Sequence, residues 1–139
     1  MMELVLIFRL ADEWFGLEVD DIQEIVEAPE LNYVPRAPRA IIGAINFHGN
    51  IVPVLDLGMY LGLADSAYGE RAVVLPIGQK ALALGVSAVH RIVPLDPDMM
   101  LPCQQEEQKK LHIRMLYNHD GKMINMLDIP SLLSSLETF

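Results

Sequence analysis

The sequence predicts an all-β fold in which two small barrels or sandwiches arise by internal duplication. Three observations carry this. Short runs rich in Val, Ile, Leu and Phe recur between turn signals, the pattern of a chain of many short strands. The segment Ile41 to Leu57, IIGAINFHGNIVPVLDL, nearly returns as MLYNHDGKMINMLDI at Met115 to Ile129, with Asn46/Asn118, Gly49/Gly121, Leu55/Leu127 and Asp56/Asp128 all at an offset of 72. Upstream, Val5–Val26 aligns with Ala72–Val93 at an offset of 67, with Leu17/Leu84, Val19/Val86, Ile25/Ile92 and Val26/Val93 identical.

Strands in order are Leu4–Leu10 and Trp14–Val19, joined by a hairpin turn at Ala11-Asp12-Glu13. Ile22, among Asp20, Asp21 and Glu24, reads as a short exposed turn. Ala28–Pro38 carries Pro29, Pro35 and Pro38 and reads as an extended loop over the first barrel. Ile41–Phe47 and Ile51–Leu55 form the next hairpin around His48-Gly49. Gly49 serves the tight turn, and Gly43 suits a bulge or close packing of another strand. A short helix follows Leu55-Asp56 at Gly58–Leu61, closed by Gly62 as a left-handed terminal residue, and Gly58–Glu70 connects the halves.

The second half repeats the order. Val73–Ile77 and Leu82–Val86 flank Gly78-Gln79-Lys80, and Pro94, Pro97 and Pro102 echo the proline loop. Because the offset grows from 67 to 72, about five extra residues enter around Gln104–Lys110. His112–Tyr117 and Lys122–Leu127 flank His119-Asp120-Gly121, and a helix over Ser131–Leu136 follows Leu127-Asp128. Asp-Gly favours such turns because both residues tolerate positive φ. Asp56 and Asp128 could be helix N-caps or catalytic acids. Their recurrence at equivalent positions favours the cap.

A period near 70 is too long for a solenoid unit. It predicts a single domain over 1–139 with a first barrel at 3–62 and a second at 63–139, strand exchange between them being allowed. A half of about 60 residues is marginal alone, so the two are expected to pack together.

The net charge of −9 is uneven: residues 1–30 hold nine acids and one base, and six acids lie in Glu18–Glu30. That field repels phosphates, so nucleic acid and bare anionic membrane are excluded as partners. It is either a solvated face or a docking face for a basic partner. The one cysteine, Cys103, allows no internal disulfide and suits a reducing compartment. Met1-Met2-Glu3 lacks the basic start of a secretory leader, and runs such as LVLIF are too short for membrane insertion. His48, His90, His112, His119 and Cys103 fall at no zinc-type spacing. Gly43–Gly49 lacks the context of a phosphate loop. No nucleophile and base pair stands out, so no catalytic residue, metal or cofactor is expected.

The residues Ile22-Gln23-Glu24-Ile25, Val34-Pro35, Gly43-Ala44-Ile45-Asn46-Phe47-His48-Gly49 and Ile51-Val52-Pro53-Val54-Leu55-Asp56-Leu57 stand in an order that resembles the CheW-like domain of bacterial chemotaxis. The likeness runs from Phe8 to Ile129. It implies two five-stranded SH3-like β-barrels and a non-catalytic adaptor that binds the regulatory domain of a CheA-type histidine kinase and a methyl-accepting chemoreceptor. It also implies a cytoplasmic protein recruited to receptor arrays at the inner membrane face. Carried onto this chain, it gives Ile22, Glu24, Gly43, Asn46, His48, Gly49, Val73 and Val74 as partner-binding positions. Several of these have a plainer role: the glycines as backbone positions, Ile22, Val73 and Val74 as core.

Two departures stand out. The family's Arg in Asn-Leu-Arg-Gly, thought to pair with the residue matching Glu24, is His48 here, which lacks the guanidinium fork. Ser87 stands where the family often has Asp. The alternative is therefore a divergent CheW-like module of another pathway, motility or second-messenger control, with an altered partner surface.

Overall fold

A computed structural model describes residues 3–136. These form eleven strands and three α-helices. In the first half β1 (Leu4–Leu10), β2 (Glu13–Glu18), β3 (Glu24–Glu27), β4 (Ile41–Phe47) and β5 (Asn50–Asp56) lead into α1 (Leu57–Tyr60). In the second, β6 (Arg71–Ile77), β7 (Lys80–Val86), β8 (Ala88–Pro94) and the short β9 (Met100–Leu101) precede α2 (Gln105–Leu111). β10 (Ile113–His119), β11 (Lys122–Leu127) and α3 (Ile129–Leu136) complete it.

The strands form two sheets, ordered β8-β1-β2-β11-β10-β9 and β3-β6-β7-β5-β4. Each sheet takes its β1–β2 or β6–β7 hairpin from one half of the chain and its other strands from the opposite half. The repeats therefore exchange hairpins. Duplication is written into the register as well. The parallel pair Val54↔Ala83 joins β5 to β7, and its repeat Met126↔Gly16 joins β11 to β2. Ile25↔Val73 has its repeat in Ile92↔Leu6, and the β-bulge at Ile41/Gly43 recurs at Ile113/Met115. Each residue maps to its counterpart by the sequence offsets. Both sheets curl into SH3-like barrels.

Strand alternation divides the interior into three. Val5 and Ile7 of β1 point into the first sheet's core with Val93, Tyr117, Ile124 and Met126. Ala72 and Val74 of β6 point into the second sheet's core with Ile45, Phe47, Val52, Val54 and Ala83. Leu6, Phe8 and Leu10 join Val73, Leu75, Leu84, Leu55 and Leu132 in a third core between the barrels. β1 and β6 are thus buried on both faces, which explains their nearly continuous apolar sequence.

Short helices follow each Leu-Asp. Asp56 caps α1 by accepting from the Met59 N–H at 3.1 Å, and Asp128 accepts from the Ser131 N–H at 3.1 Å. Gly62, at φ +76, closes α1 in the left-handed region. The extra residues of the second repeat form α2, which ends at His112, also left-handed at φ 51.

Candidate docking site

The site is built on the β4–β5 hairpin. Its two turn residues, His48 (φ 50) and Gly49 (φ 83), are both left-handed, as a type I′ turn requires. Asn46 Oδ1 accepts a hydrogen bond from the Gly49 N–H at 3.0 Å and locks the turn. The turn lifts His48 into solvent, with its ring edge-on to Phe47 at 4.3 Å between centroids. His48 Nε2 then lies 3.3 Å from Glu24 Oε1 on β3.

β3 is placed by β6. Glu24 pairs with Val74 and Ile25 with Val73, and the Gln23 N–H donates to the Val74 carbonyl at 2.8 Å. The Val73 and Val74 side chains are both fully buried, in different cores. They carry β3 from behind and offer a partner no surface. Ile22 is half-buried; a 3-10 turn at Val19–Asp21 delivers it against the inter-barrel core. Gly43 is buried under the proline loop. A Cβ there would stand 3.0 Å from the Asn32 carbonyl oxygen and 3.2 Å from Leu31 Cβ. That close approach lets Asn32 and Ala44 exchange both backbone hydrogen bonds, at 2.8 and 2.9 Å. Glu24, Asn46, His48 and Gly49 therefore share one surface; Gly43, Val73 and Val74 lie beneath or behind it.

Three shallow depressions surround the hairpin. One of about 560 Å³ lies toward Gln23, Gln79 and Lys80. A second, of about 330 Å³, lies between Glu24, Glu30 and His48. A third, of about 410 Å³, lies under Tyr33 and Ile51. Tyr33 and Ile51 are 86% and 84% exposed, unusual for large apolar side chains so near one another. Sequence reasoning missed both as site residues. Ile51 was legible from alternation, since Val52 and Val54 face the core. Tyr33 sits in irregular backbone where no period exists.

The acidic face is partly neutralised. Arg114 pairs with Glu18 at 3.2 Å and Arg71 with Glu27 at 3.6 Å. Ser87, where an Asp was expected from the resemblance, accepts from the Ala11 N–H at 2.9 Å and donates to the Ala67 carbonyl. It ties the β1–β2 turn to the connection between repeats. Among the described residues no three His, Cys, Asp or Glu gather as a metal site, and no helix is long and apolar enough to cross a membrane.

An interlocked pair of SH3-like barrels, with exposed apolar side chains and the Glu24–His48 contact around one hairpin, is the architecture of a scaffold domain. The chain belongs to the CheW-like domain family, whose model matches residues 4–137. It is a CheW-type chemotaxis scaffold protein. It is 28% identical to the chemotaxis protein CheW of Klebsiella aerogenes over 95% of this chain and 82% of that one. It is 25% identical to a probable chemotaxis protein CheW of Rhizobium etli over 94% and 87%. A crystal structure of the scaffolding protein TtCheW from Thermoanaerobacter tengcongensis superposes with a TM-score of 0.81, at 29% identity over 91% of this chain and 84% of that one.

Proposed function

We propose that this chain is a non-catalytic scaffold that links the cytoplasmic tip of a methyl-accepting chemoreceptor to the regulatory domain of a CheA-type histidine kinase. One observation carries the reading: in a chain matched end to end by the CheW-like family, Glu24 and His48 meet on a face with the exposed anchors Tyr33 and Ile51. The kinase domain would dock there by barrel-to-barrel contact, with Ile22, Glu24, Asn46, His48 and Gly49 at or beside the contact. Gly43 shapes that surface, and Val73 and Val74 support it. The seam between the barrels, where Leu4 and Ile92 are 40% and 51% exposed, would take a receptor helix, the helix-in-groove mode. Signalling follows if receptor states differ in affinity for the assembled complex. The protein works in the cytoplasm, recruited to receptor arrays.

Co-sedimentation with receptor-bearing membranes and the kinase tests this. The protein is expected to pellet with both and to raise kinase recovery. Absence of binding to either partner at tens of micromolar overturns the reading in favour of a CheW-like module of another pathway.

A further inference from the structure

We propose that the kinase-side partner supplies in trans the cation this hairpin lacks, an arginine that enters the cleft between Glu24 and Glu30. The inference rests on the scaffold reading above and names the chemistry of its partner. The cleft holds about 330 Å³ and is lined by these two carboxylates but by no lysine or arginine. His48 is the one cationic candidate in its wall. It reaches a single oxygen of Glu24, at 3.3 Å, and stays 67% exposed. Histidine presents no planar fork. Among the described residues, Glu30 and the second oxygen of Glu24 have no hydrogen-bond or ion-pair partner. Arg71, on the adjacent strand β6, is held by Glu27, and Lys80 lines the neighbouring depression rather than this one.

The remaining lining suits an arginine in particular. Val26, Pro29, Ile45 and Phe47 form apolar walls, against which the methylene stem of an arginine packs while its head stays polar. A guanidinium fork can bond two carboxylates at once, which an ammonium does less well. Tyr33 and Ile51, exposed beside the cleft, would anchor the surface that carries it. With Glu24 and Glu30 both in the cleft wall, the partner's rim is basic.

The test titrates the full chain with the regulatory domain of the CheA-type kinase from the same genome, by calorimetry at about 0.05 and 0.3 M salt. Variants are Glu30→Gln, Glu24→Gln and His48→Arg, with Asp12→Asn on the distant β1–β2 turn as control; thermal melts establish that each is folded. Glu30→Gln and Glu24→Gln are each expected to weaken binding roughly tenfold and to reduce its salt dependence. His48→Arg is expected to weaken it too, by filling the cleft from within, and Asp12→Asn to leave it unchanged. Unchanged affinity in Glu30→Gln, equal loss in Asp12→Asn, or tighter binding by His48→Arg overturns the proposal while the scaffold reading stands. No binding by the unaltered chain overturns both.

Discussion

Asp56 shows how one residue type does two jobs at repeated positions. Its carboxylate is fully buried. It accepts from the Met59 N–H at 3.1 Å, from the Ala67 N–H at 3.2 and 3.1 Å through its two oxygens, and from Ser66 Oγ at 3.3 Å. It both caps α1 and pins the connection between repeats. Asp128, half-buried, bonds through its side chain only the Ser131 N–H among the described residues. Losing a cap costs about 1 kcal/mol, and stranding a buried N–H costs about 1–3 kcal/mol more. Asp56→Ala should therefore destabilise by about 3 kcal/mol and Asp128→Ala by about 1 kcal/mol, read from urea midpoints. Equal losses would mean that the pinned connection contributes nothing. His112 gives a second expectation. Burial holds its pKa below the ordinary 6.5, against an opposing pull from Asp128, and its Nδ1 lies 2.7 Å from Ser131 Oγ. Because the folded value is depressed, the unfolded chain takes up the proton first as pH falls through about 6.5. Stability from this site is complete above that value and is lost toward the lower folded value. His112→Asn keeps a residue tolerant of the left-handed backbone. It should flatten the fall in urea midpoint between about pH 8 and pH 5.5 attributable to this site; an unchanged slope would assign the fall to other groups.

At the scale of elements, the strands that sequence reasoning missed all lie at sheet edges, although one edge strand, β4, was legible from its apolar run. β1, β2, β4, β5, β6, β7, β10 and β11 declared themselves by apolar runs between turn signals, because each is buried on at least one face. β3, β8 and β9 did not. Glu24–Glu27 is four residues with charged ends, and Ala88–Pro94 has His90 and Arg91 mid-strand. These lie at sheet edges, with pairing along one side only, so their side chains need not alternate. The turns were readable because His48-Gly49 and Asp120-Gly121 need positive φ, and few residues supply it. α2 was visible only as an insertion. Its sequence, QEEQKKL, has little apolar periodicity, and what holds it is Leu111 packed on the inter-barrel core. The candidate site was legible as geometry where the backbone dictates residue type, at Asn46 and Gly49; at Glu24 and His48 the family resemblance alone pointed, and their docking role is proposed. It was not legible at Val73 and Val74. A strand buried on both faces reads the same as one that lines a groove, and only the packed core shared with Leu6, Leu84 and Leu132 decides that Val73 is sealed.

At the scale of the whole molecule, the hairpin exchange governs cooperativity. The β1–β2 hairpin has both its sheet neighbours, β8 and β11, in the second half of the chain, and β6–β7 has both of its own, β3 and β5, in the first. The core of the second sheet is divided likewise: Ile45, Phe47, Val52 and Val54 come from one half, Ala72, Val74 and Ala83 from the other. A chain cut between the repeats would leave each hairpin with two bare edges and each core incomplete. An isolated two-stranded hairpin is marginal in water, and about 60 residues bury too little surface to compensate. Fragments 3–62 and 63–139 should therefore each lack a cooperative melt by circular dichroism, whereas mixing them restores one, and the intact chain should unfold in a single transition with equal calorimetric and van't Hoff enthalpies. A folded, cooperatively melting single fragment would show that one repeat can pair its own strands. The interlock also bears on docking. The face proposed for the kinase draws β3, β4 and β5 from the first half but rests on β6 and β7 from the second. The seam edge takes Leu4 from the first and Ile92 from the second. Neither proposed surface exists without both repeats, so a single cooperative fold presents the two together.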